Sequence, residues 1–128
     1  MVRRFDDDAS RPARGLQIWQ ILIGKAHNRQ TITYGQLAKL LGFEGAGTMA
    51  HMLGHVYFYC QQKGLPPLNV LVVNQESGLP GEGVKHIDLN RSREEVFGFN
   101  WYGIWPPTPD ELRIAFEEGM SGSAPSPT

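Results

Sequence analysis

A single cysteine, Cys60, is all the thiol chemistry in this 128-residue chain, so no intramolecular disulfide can form and no cysteine-rich metal framework exists. No apolar run approaches the roughly 18 residues needed to span a bilayer. The first residues, "MVRRFDDDASRPARG", have no apolar stretch of the secretory kind. A cytoplasmic protein of one domain is the expectation, since this length holds one core without staples. The chain also lacks an HExxH pattern, a glycine loop ending in Lys-Ser/Thr, and a Ser or Cys in a glycine-flanked elbow. "GLPGEG" at 78–83 therefore reads as turns following a strand, not as a phosphate cradle. No cofactor or metal is expected.

Net charge is nearly absent too, at -1, but it is unevenly spread. Residues 9–74 hold six basic groups against Glu44 alone, a net +5, while residues 75–128 hold four basic against nine acidic groups, a net -5. Such polarity suits a first half that meets an anion, two halves that attract each other, or charges that merely scatter this way.

Among the elements present, Leu16, Trp19, Leu22, Ile23 and Ala26 recur at helical spacing and predict a helix from 16 to about 28. "RQTIT" reads as a short extended link. "TYGQLAKLLG" reads as a capped helix: Thr33 and Gln36 have capping-box spacing, Leu37, Leu40 and Leu41 give an apolar face, and Gly42 is a left-handed stop. A helix over 48–62 follows, with Met49, Met52, Leu53, Val56 and Cys60 facing the core. Together these two make a helix-turn-helix pattern. Residues 70–74 are the best strand, too apolar to have a wet face. Two more helices are expected, one capped by Ser92 with Glu95, the other by Thr108 with Pro109 and Glu111. Residues 1–14 and 120–128 read as flexible ends around a domain at 15–119.

The informative surface is the far side of the 48–62 helix. His51 and His55 stand one turn apart there, with Phe58, Gln62 and Gly54. As zinc ligands the two histidines lack a third and fourth partner. A glycine in mid-helix costs about 1 kcal/mol against alanine, which makes sense if a ligand or another helix approaches closely at Gly54. Cys60, on the apolar face, reads as an inert core thiol.

In this order, "TITYGQLAKLLG", "HMLGHV" and "PPLNVLVV" resemble the C-terminal DNA-binding domain of alkylguanine-DNA alkyltransferases and their cysteine-free alkyltransferase-like relatives. The likeness covers residues 15–83 and is most specific at "TYGQLA". It implies a winged-helix-like fold, with Tyr34 beside a target phosphate and His51 where the family has an intercalating arginine. The family's active-site cysteine falls at Leu68 or Asn69, depending on register, so no thiol is available to accept an alkyl group. The expectation is an α+β domain that binds nucleic acid, most simply duplex DNA, without catalysis. Its contacts would come from Tyr34, His51, Gly54, His55, Phe58 and Gln62, with Arg29 and Lys39 supplying charge. Asn69, Asn74, Gly78 and Gly81 would line a pocket able to hold a flipped base. Two rival classes remain: a protein-interaction module using Tyr57, Phe58, Tyr59, Trp101, Tyr102 and Trp105, and an enzyme using His51 and His55 as an acid–base pair.

Overall fold

The computed structural model describes residues 11–42, 49–80 and 88–121. Its described part is mostly helical with one short parallel sheet, a small α+β arrangement. The first helix, α1 (Arg11–His27), runs through the centre and buries Ile18, Trp19, Leu22 and Ala26. It starts earlier than its apolar spacing predicts, so residues 11–14 belong to the folded domain. The reason is Arg14: its Nη1 donates to the Leu41 carbonyl at 2.8 Å and satisfies a C-terminal acceptor of the next helix.

β1 (Ile32–Thr33) leads into α2 (Tyr34–Leu41). The capping box forms as expected, Gln36 N donating to Thr33 Oγ1 at 3.0 Å and Thr33 N to Gln36 Oε1 at 3.1 Å. Gly42 ends α2 at φ 82°, a left-handed conformation that glycine adopts without steric cost. α2 packs mainly on α1 and the strands, whereas α3 (Met49–Lys63) packs on α5 (Pro109–Ser121) and α1. The two helices of the expected helix-turn-helix thus exist, but each leans chiefly on other elements.

The apolar run 70–74 divides in two. Leu68–Leu71 form a buried 3-10 turn, with Val70 N donating to the Pro67 carbonyl, and only β2 (Val72–Val73) is extended. β2 pairs parallel with β1 in the register Ile32↔Val72 and Thr33↔Val73. α2 and α3 form the crossover that parallel pairing requires. No hairpin wing occurs among the described residues. No helix there is long and apolar enough to cross a membrane.

α4 (Leu89–Gly98) begins at an Asp88 cap, not at Ser92. Asp88 Oδ1 accepts from Arg91 N at 3.1 Å, its carboxylate set against the positive helix end, and Ser92 lies buried inside the helix already begun. At α5 the Thr108–Glu111 box forms in both directions. That helix continues through Met120 and Ser121, two residues past the expected end of the domain at 119. Trp19 anchors the core with edge-on contacts to Tyr59 and Trp101, and Trp101 Nε1 donates to the Val96 carbonyl at 2.8 Å.

Candidate functional site

Of the features that marked the far side of α3 as a ligand face, Gly54, His55, Phe58 and Gln62 meet α5. His55 is 2% exposed and stacks on Phe116, with ring centroids 4.2 Å apart and planes 5° from parallel. A Cβ at Gly54 would lie 3.1 Å from Phe116 Cε1, so the close approach there is that of another helix. Phe58 is half-buried against Phe116 and Gly119. Gln62 Nε2 donates to the Ala115 carbonyl at 2.8 Å. The outward orientation expected of His55 is therefore corrected: α3 is packed on two sides, by α1 and by α5. His51 belongs to α3, but its side chain lies outside what the structure describes. A signal was available in the sequence, since Ala115, Phe116 and Gly119 offer small residues flanking a ring at helical spacing.

The supporting charges diverge. Arg29 is engaged within the chain: its Nη2 donates to both carboxylate oxygens of Glu94 at 2.8 and 2.9 Å, and its guanidinium lies 5.0 Å from the Phe97 ring centre. Lys39 is exposed in the last turn of α2, and Tyr34 is half-buried at its start. Leu40, expected on the core face, is 63% exposed. It borders a shallow cleft of about 430 Å³ between α1 and α2, lined by Gln17, Gln20, Ile21, Leu40 and Leu41.

The expected pocket is only partly assembled. Asn69 is buried in the 3-10 turn, with Oδ1 lacking a hydrogen-bond partner. Asn74 lies at the surface, where its backbone N–H and Nδ2 both donate to the Leu79 carbonyl and its own carbonyl accepts from Gly78 N. Gly78 takes φ 69° to close that turn. Asn74 lines an open cleft of about 790 Å³ with Gln75, Glu76 and Ser77, and Asn69 is not among the lining residues. Gly81 lies outside the described residues.

Cys60 is buried, and that burial pushes its thiol up to about 12, although a hydrogen bond with the Leu68 backbone pulls the other way. A thiol so placed is not a nucleophile at neutral pH. Among the described residues, no three of His, Cys, Asp and Glu gather as metal ligands would. Of the aromatics proposed for an interaction surface, Tyr59 and Trp101 are core, Tyr57 and Phe58 half-buried, and Tyr102 and Trp105 exposed. Tyr102 rests edge-on against His27, while Trp105 is 91% exposed. No protein-family model, curated protein or solved structure matches this chain.

Proposed function

We propose that this chain is a non-catalytic protein-interaction module. The observation that carries the reading is Trp105, a large apolar side chain left 91% exposed on a molecule that buries its other two tryptophans. Tryptophan leads the residues on which interface energy concentrates. The neighbouring prolines, Pro106 and Pro107, fix their own φ and hold the preceding residue extended. Presenting the indole this way costs little further chain entropy on binding. The tagged full chain, recovered from cells after chemical cross-linking, should carry proteins that the Trp105→Ala variant loses. Identical recovery by the two would sink the reading.

A second reading keeps the winged-helix-like, duplex-DNA-binding function implied by the family resemblance. One observation favours it: the β1–β2 pair sets "TYGQLAKLLG" and "PPLNVLVV", the segments carrying that resemblance, side by side. In this reading α5 must leave α3 before Gly54, His55, Phe58 and Gln62 can meet a groove. Saturable duplex binding at low salt, with affinity falling linearly in log salt, would favour it over the interaction module.

A further inference from the structure

We infer that the partner of Trp105 is a second copy of this chain, with the indole seated in the α1–α2 cleft of its neighbour. The inference rests on the interaction-module reading and adds the identity of the partner. Knob and socket are both present on one molecule. The knob is Trp105. The socket is the shallow cleft of about 430 Å³ lined by Ile21, Leu40 and Leu41 together with Gln17 and Gln20. That volume falls within the roughly 300–1,000 Å³ range of ligand pockets, and Gln20 supplies an amide acceptor for an indole N–H, which needs one when buried; Gln17 Oε1 already accepts from Arg14 Nη1 at 3.4 Å.

Charge selects a copy of the chain as the occupant. The socket lies in the half of net +5 and the knob in the half of net -5. Locally, α2 carries exposed Lys39 and no acidic residue, while α5, just beyond Trp105, holds Asp110, Glu111, Glu117 and Glu118 against Arg113 alone; Asp110 already pairs with Arg113 and Glu111 accepts from Thr108 N. Within one chain, among the described residues, the Arg29–Glu94 pair already joins the halves. Head-to-tail packing of two copies brings the opposed halves together again. Because knob and socket are different surfaces, the contact is heterologous and can propagate from copy to copy. An anchor of about 150–250 Å² places it among weak, transient interfaces.

Sedimentation velocity of the full chain tests this. The average mass should rise with concentration up to about 1 mM and fall back to monomer in about 0.5 M salt, where surface charges are screened. Trp105→Ala and Leu40→Glu should each be monomeric. Mixed in equal amounts they should form a dimer and nothing larger, because the first keeps its socket and the second its knob. A wild type monomeric throughout, a Trp105→Ala chain that still associates, or a mixture that stays monomeric would each overturn self-association. Partners lost from cross-linked Trp105→Ala would still support the interaction module in that event, so the two readings fail separately.

Discussion

Cys60 sits in the core beside Leu68, and its chemistry follows from that enclosure. Burial disfavours the thiolate, so the folded-state value of about 12 lies above the ordinary 9.0. The linkage has a definite sign. Below pH 9 both folded and unfolded chains keep the proton and stability is whole; between 9 and 12 the unfolded chain releases it first, so stability falls as pH rises. At about 1.36 kcal/mol per unit the effect is on the order of a few kcal/mol. Tyr59 adds in the same direction, its phenol raised first by burial, then by Glu111 and Cys60. Urea melts of the wild type should therefore weaken steeply from pH 9 to 11, and Cys60→Ala should show a shallower decline. An equal decline in both would remove Cys60 as the cause. The same enclosure predicts that alkylguanine-containing duplex incubated with the protein stays unrepaired and that the protein gains no mass. An alkyl adduct on Cys60 would contradict it.

At the scale of elements, the α3–α5 contact matters most, because it decides which side chains remain available. The helices approach closely through their glycines: a Cβ at Gly119 would run into the Phe58 ring. Gly119→Ala gains at most about 1 kcal/mol of helix propensity but overpacks the contact by about 1–3 kcal/mol, so net destabilisation is expected in a thermal melt. An increase in melting temperature would show that the interface yields. His55→Ala and Phe116→Ala should both destabilise, and their double-mutant cycle should show a coupling of about 0.5–1.5 kcal/mol from the stacked rings. Additive effects would mean that the stack contributes nothing. This interface also marks where sequence reading stopped. Features with local causes were legible: the Thr33 and Thr108 boxes, the Gly42 stop, and the α3 core face of Met49, Met52, Leu53 and Val56. Spacing along α3 places one apolar face but cannot reveal that α5, more than fifty residues later, covers the other, so His55 read as a surface group. Leu40 erred in the opposite sense: its spacing put it with Leu37 and Leu41, yet it lies at the open cleft between α1 and α2 and stays 63% exposed. Asp88 displaced Ser92 as the α4 cap because two capping residues four positions apart compete, and the earlier one leaves the later inside the helix.

For the whole molecule, the division of charge and the closure of α3 bear together on what the chain binds. Of the six basic groups in the positive half, Arg14 turns inward to Leu41, Arg29 is held by Glu94, Lys25 is half-exposed, Lys39 and Lys63 are exposed, and the Arg11 side chain lies outside what the structure describes. Duplex affinity scales with the number of phosphates neutralised, so the interaction-module reading expects these few cations to hold a duplex weakly. Fluorescence anisotropy with a labelled duplex at about 20 mM salt, where screening is weak, should therefore show no saturable binding. A reversible lock identifies α5 as the cause or dismisses it. Positions 58 and 119 face each other across the interface, so Phe58→Cys with Gly119→Cys can be oxidised to hold α5 in place, provided the Cβ atoms settle near 3.5–4.5 Å. The α1–α2 cleft and Trp105 share no residue with the lock, so self-association should be the same in the oxidised and reduced states. Duplex binding seen only after reduction would reverse the assignment. α5 would then be a cover over a nucleic-acid-binding face, and Arg29→Ala with Lys39→Ala should flatten the salt dependence of whatever binding appears.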